Sequence, residues 1–167
     1  MARYQRSAAA NYAIKYALSP NAAYPPYAND CTSFISQALL AGGWTMLGGS
    51  VFDRKDSDVW WWGKSSLSKA SYTWGGAHNF SQFVVRSGRG RTCSRNDLDL
   101  GDIVQISRQG HVFHSMIVTA LVCSSMGDGP HLSYHTTNTL NKYLGVIEAA
   151  YPPPDCAFLY WKILDVF

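Results

Sequence analysis

Charge is the first thing this chain is short of. Lys, Arg, Asp and Glu make up 15% of its 167 residues, against ~25% in a typical globular domain. The net charge of +3 is too weak to point to nucleic acid, although it suits a mildly anionic polymer such as a bacterial wall. No run of about 20 apolar residues occurs, so no membrane-spanning segment is expected. Met1-Ala2-Arg3-Tyr4 leads into no strongly apolar stretch, so no leader is expected at this end. The four cysteines (Cys31, Cys93, Cys123, Cys156) show neither CxxC nor zinc-finger spacing. Internal repeats are absent too. What is present, at 47% apolar residues, is the material of one domain over residues 1–167, able to bury roughly two-thirds of its unfolded surface.

The first half of the chain reads as helical. Ser7 to Leu18 has Ala10, Ala13, Ile14, Ala17 and Leu18 as an inner face and Pro20 as a stop. Asn21 to Tyr27, with Pro25 and Pro26, is a loop that delivers the chain to a second helix. Ala77 to Val85 is a third, with Phe80, Phe83 and Val84 on one side, and Ser87 to Asn96 reads as a solvated basic loop. From Leu98 the period changes. Ile103-Val104-Gln105-Ile106 is a strand, Arg108-Gln109-Gly110 a turn, and the β-prone run His114 to Val122 the hairpin partner. Leu132 to Thr136 and Ala157 to Leu164 read as two further strands. Helices first and antiparallel strands later predict an α+β domain.

The second helix, starting at Asn29-Asp30-Cys31, is the stretch with the clearest chemistry. Asn29 or Asp30 is placed to cap it, Phe34, Ile35, Ala38 and Leu39 form one apolar stripe, and Gly42 is placed to end it in the left-handed conformation. Cys31 falls in the first turn, where the helix dipole and free backbone amides lower a thiol pKa. The same amides suit an oxyanion formed beside the sulfur, so Cys31 reads as a nucleophile rather than a small buried hydrophobe. A cysteine nucleophile needs a base, and the base needs an orienting group. His114, at the start of the long strand, is the candidate base. His135 and Asn138, on or just beyond the following strand, are alternatives for the group that holds its ring. His78, His111 and His131 read as surface or packing residues. Ligand types for zinc exist in Cys31, His111, His114 and His135, but their spacing matches no metal motif. If Cys31 is catalytic, at most one disulfide joins the other three cysteines. Trp60-Trp61-Trp62 and Tyr72-Thr73-Trp74 are either a wall that stacks on sugars or amides, or core; the core reading is favoured.

The segment Asn29-Asp30-Cys31-Thr32-Ser33-Phe34-Ile35-Ser36-Gln37 closely resembles the "NDCTNFVSQ" segment of the bacterial putative amidase domain family. Gly101-Asp102-Ile103-Val104-Gln105, His114-Ser115-Met116-Ile117-Val118-Thr119 and Ser133-Tyr134-His135-Thr136 are similar to family pieces in the same order. Such domains resemble NlpC-type and CHAP cell-wall hydrolases, which implies a papain-like fold with N-terminal helices packed on a C-terminal antiparallel sheet. The resemblance implies Cys31 as nucleophile and His114 as base. It points to His135 as third member, with Asn138 the alternative, and to peptidoglycan amide bonds as substrate. Tyr27 and Asn29 are candidates to assist the oxyanion, and no metal or organic cofactor is implied. Two departures stand out: the Asp that often follows the family's His-Thr is absent from Thr136-Thr137-Asn138-Thr139, and the loop Ser107-Arg108-Gln109-Gly110-His111 lacks the family's acidic residues. A free-standing wall hydrolase of this kind would fit a phage lysis enzyme or an exported antibacterial effector. An effector would act in the periplasm or wall of a target bacterium and be neutralised by an immunity protein in its producer. A cysteine peptidase acting on proteins and a non-catalytic wall-binding module are the rival expectations.

Overall fold

A computed structural model describes residues 3–24, 28–63, 70–122 and 128–167. The chain runs α1 (Arg6–Tyr16), α2 (Cys31–Ala41), α3 (Tyr72–Gly75), α4 (Ala77–Arg86), β1 (Gly90–Thr92), β2 (Ile103–Arg108), β3 (His111–Val122), β4 (Gly129–Tyr134), β5 (Thr139–Tyr143), α5 (Leu144–Ala150) and β6 (Cys156–Ile163). The strands form one six-stranded sheet in the order β1-β6-β2-β3-β4-β5, with every neighbouring pair antiparallel. The α+β expectation holds, with helices leading and the sheet following. No helix among the described residues is long and apolar enough to cross a membrane.

The sheet is covered on both faces, and alternation along its strands sorts the residues between them. Ile103, Ile117, Trp161 and Ile163 meet α1, α2 and α4 in the main core with Phe34, Ile35, Leu39, Phe80 and Phe83. Val104, Ile106, Met116, Val118, Leu132 and Tyr134 face the other way, against Leu144 and Ile147 of α5. Burial on both sides explains why β2 and β3 read as nearly continuous apolar runs. β3 carries a bulge: Ile106 pairs with His114 and Ser107 with Val112, so Phe113 is an extra residue just before His114.

Several expectations are corrected. In α1 the inner face is Ala9, Ala10, Ala13 and Ala17, while Ile14 and Leu18 are 38% and 61% exposed; Tyr12 beside that face reaches α2 through its hydroxyl, which donates to Gln37 Oε1 at 2.8 Å. The end of α2 is not a left-handed Gly42, whose φ is −76°; Gly43 takes that conformation at φ 101°. Gly42 is required for a different reason, since a Cβ there would lie 2.5 Å from the Tyr4 ring. The basic loop is not simply solvated. It contains β1, and Arg89 is 5% exposed, its guanidinium lying over Trp44 and Phe167 while Nη1 donates to the Thr45 carbonyl at 2.9 Å. Trp60, Trp61 and Trp74 are buried and so belong to the core, as favoured, with Trp60 against Trp74 at 4.7 Å between ring centroids. The Ser-rich linker at 64–69 and Cys123 lie outside the described residues.

A buried carboxylate fastens the two ends of the described chain to the sheet. Asp102 is fully buried and accepts from Arg6 Nη1 at 2.7 Å, Ile163 N at 2.9 Å and Asp99 N at 2.8 Å, with Lys162 Nζ at 3.1 Å. Arg6 also donates to Asp165 at 2.7 Å, Tyr4 N donates to the Asp165 carbonyl at 2.9 Å, and Arg3 bridges to Val166.

Candidate active site

α2 is the central helix of the molecule. Every residue from Cys31 to Leu39 is buried, as expected of a helix that sits inside a core rather than on its surface. Its polar side chains are therefore all bonded. Thr32 Oγ1 meets Ser115 Oγ at 3.0 Å, Gln105 Nε2 donates to Ser115 Oγ at 2.8 Å, and Trp161 Nε1 donates to Gln105 Oε1 at 2.9 Å. Ser36 Oγ accepts from Trp60 Nε1 at 3.1 Å and donates to the Trp74 carbonyl at 2.9 Å. This lattice fixes where the helix begins. The first helical bond runs from Phe34 N to the Asp30 carbonyl at 2.8 Å, which leaves the amides of Cys31, Thr32 and Ser33 ahead of it without intrahelical acceptors.

Cys31 occupies the first position of that helix and is 6% exposed. Among the described residues its sulfur has one polar neighbour, Thr32 Oγ1 at 3.8 Å. The free side of Cys31 opens into a cavity of about 520 Å3 that is also lined by His114, Tyr134, Thr136 and Lys142. Cys31 and His114 thus face one cleft without a direct hydrogen bond, a looseness common before substrate binds. The His114 ring meets Tyr134 edge-on, with centroids 5.0 Å apart, and among the described residues its nitrogens have no polar partner. Burial disfavours the charged ring and pushes its pKa down to about 4. The imidazole is therefore neutral at neutral pH, which is the form able to take a proton from a thiol.

His135 and Asn138 are not brought to His114. β4 ends at Tyr134, which shares the face of His114, so His135 falls on the opposite, helix-side face. It stacks on Phe34 at 3.9 Å, and its ring is spanned between the Asp30 carboxylate (Nδ1 to Oδ2, 2.7 Å) and the Tyr16 carbonyl (Nε2 to O, 2.8 Å). Asp30 sits at the N-cap of α2, but its side chain makes no capping bond; it is used on His135 instead. Asn138 lines a separate cavity together with Asp30 and His135. Asn29 lines the Cys31 cleft, whereas Tyr27 lies outside the described residues. His78 and His111 stack on one another at 4.8 Å, and Val112 N donates to His78 Nδ1 at 3.3 Å. No group of three or more His, Cys, Asp or Glu residues is placed to hold a metal ion among the described residues, and Cys31, Cys93 and Cys156 are free thiols.

Sequence reasoning missed Tyr134, Lys142 and the α5 wall (Ile147, Tyr151) as cleft residues. The pair Leu144 and Ile147, three apart and followed by Pro152-Pro153-Pro154, was the available signal for α5. Residues 3–153 match the family described as "Putative amidase domain". The chain belongs to that family. The chain is 29% identical over 169 residues to Uncharacterized protein YhbB of Bacillus subtilis (strain 168), covering 98% of this chain and 51% of that protein. It is 31% identical over 152 residues to Uncharacterized protein YjcM of the same organism, covering 83% of this chain and 32% of that protein. The chain thus spans about half or less of the length of these curated relatives. No solved structure matches it.

Proposed function

We propose that this amidase-family domain is a thiol hydrolase of amide bonds in bacterial peptidoglycan, with Cys31 as nucleophile and His114 as general base. The observation that carries the reading is the shared cleft: a cysteine at the first turn of a buried helix and a neutral histidine from a strand line the same cavity. Neutral His114 takes the thiol proton as the sulfur attacks the amide carbonyl carbon. The amides of the first turn of α2 hold the oxyanion, with Asn29 beside them. The carbon–nitrogen bond breaks, the imidazolium hands its proton to the leaving amine, and water cleaves the resulting thioester to return the thiol. A papain-like relationship to the NlpC-type and CHAP hydrolases belongs to the same proposal and accounts for helix-borne cysteine and strand-borne histidine in this order.

His135 takes a different part in this reading. Held by Asp30 and the Tyr16 carbonyl, it fixes the residue that precedes the nucleophile, so it positions Cys31 rather than the base. Van der Waals confinement against Tyr134 is what orients the His114 ring. The test is mass spectrometry of soluble muropeptides after incubating purified peptidoglycan with wild type and with Cys31→Ala. New fragments from the wild type alone are expected, and their masses name the bond cut. No fragments from either protein, or equal fragments from both, would overturn the proposal.

A further inference from the structure

A second cavity, of about 350 Å3, borders the start of α2 and is lined by Asn29, Ser33, Arg54, Tyr72, Trp74 and Asn79 among others. Asn29 lines both this cavity and the Cys31 cleft, so the two hollows share a wall at the residue two before the nucleophile. Among the described residues, the charged group in the second hollow is Arg54. Its Nε donates to the Ala70 carbonyl at 2.8 Å, its guanidinium lies over the Tyr72 ring at 5.3 Å, and its own carbonyl accepts from Tyr72 N at 2.9 Å. The side chain is thus held at Nε and across its guanidinium face, and its backbone is tied to the same residue, Tyr72, at the wall of the cavity. No ion pair engages it among the described residues, although Arg6, Arg86 and Arg95 each have a carboxylate partner. Its two Nη groups make no hydrogen bond to any described residue. A planar fork of donors, already ordered and unpaired, is the geometry that receives a carboxylate bidentately, and the ordering cost that usually offsets such pairing has been met in advance. Trp74 supplies an apolar wall, its Nε1 already donating to Ser33 Oγ at 3.2 Å, while Asn79 adds a polar side chain to the lining.

We propose that this hollow is a subsite that binds a free carboxylate on the residue next to the cut amide, with Arg54 as its anchor. The proposal rests on the thiol amidase reading for the meaning of "cut amide", but the binding of a carboxylate does not. Two measurements separate the two claims. In the first, N-acetylalanine, which has one carboxylate, and N-acetylalaninamide, which has none, are titrated by calorimetry into the Cys31→Ala protein, with and without Arg54→Gln. The acid is expected to bind at least tenfold more tightly than the amide, with that ratio falling toward one in the Arg54→Gln background and partly restored by Arg54→Lys. In the second, kcat/KM is compared for a peptide substrate and its carboxamide counterpart, where Arg54→Gln is expected to reduce the acid-over-amide preference at least tenfold, chiefly through KM. A Cys31-dependent turnover with an acid-over-amide ratio near one in the wild type would overturn the subsite and leave the amidase reading standing. Acid-selective, Arg54-dependent binding without any turnover would uphold the subsite and count against the amidase reading. Should Arg54→Gln fail to fold, judged by circular dichroism, the wild-type ratios and the Arg54→Lys protein still decide.

Discussion

The depressed pKa of His114 makes its protonation state readable in the stability of the protein, independently of any substrate. In the unfolded chain the ring titrates at the ordinary value of 6.5, and in the native cleft at about 4. Between those values the unfolded state holds a proton that the native state does not, so stability is full above pH 6.5 and is lost as pH falls toward 4. At about 1.4 kcal/mol per pH unit, the whole window is worth about 3 kcal/mol, and the accessible part from pH 6.5 to 5 about 2 kcal/mol. Urea unfolding of wild type and His114→Gln at a series of pH values isolates this component, because the other titrating groups are common to both. The wild type is expected to lose about 2 kcal/mol more than the variant over that interval. Parallel stability curves would refute the reasoning. The opposite sign, wild type gaining relative to the variant on acidification, would mean an imidazolium already paired with the Cys31 thiolate, and hence a pre-formed ion pair in place of the neutral base.

Other expectations follow from the same geometry. If His114 is the base, the acid limb of kcat/KM falls near pH 4, not near 6.5, in a pH–rate profile with a soluble amide substrate. Asp30→Ala leaves the buried ring of His135 without its carboxylate and is expected to cost about 1–3 kcal/mol in urea unfolding, together with slower alkylation of Cys31. Asp102→Ala removes the buried acceptor of the partly exposed Arg6 and Lys162 and of the Ile163 and Asp99 amides, and is expected to cost about 1–3 kcal/mol, seen as a fall in thermal midpoint.

Legibility in the sequence followed the strength of local patterns. The Cys31 helix was readable because Phe34, Ile35, Ala38 and Leu39 repeat at helical spacing, and all four are fully buried. The β2–β3 hairpin was readable because a β-branched run flanks a short turn. β1 (Gly-Arg-Thr) and β5 (Thr-Leu-Asn-Lys-Tyr) were not, since their composition favours no strand and their conformation comes from pairing with β6 and β4. The placement of Cys31 and His114 along one cleft could be anticipated from residue types, but the destination of His135 could not. Whether it faces the base or the helix depends on β4 stopping at Tyr134 and on Asp30 waiting on the other side, and neither is written in the local sequence. Arg89 misled for a similar reason: four arginines in a short loop look solvated, until Trp44 and Phe167 arrive from distant parts of the chain to receive one of them.

The clasp made by Tyr4, Arg6, Asp102 and Asp165 has a consequence for how this fold sits in longer chains. Residues 3 and 166 lie side by side on one edge of the molecule, so segments continuing from either end leave from the same spot, as two strands leave one knot. Such a domain can be spliced into another chain like a bead on a loop of string, without prying its neighbours apart. Equally, it should tolerate having those ends joined and new ones opened in an exposed turn such as Gln109-Gly110.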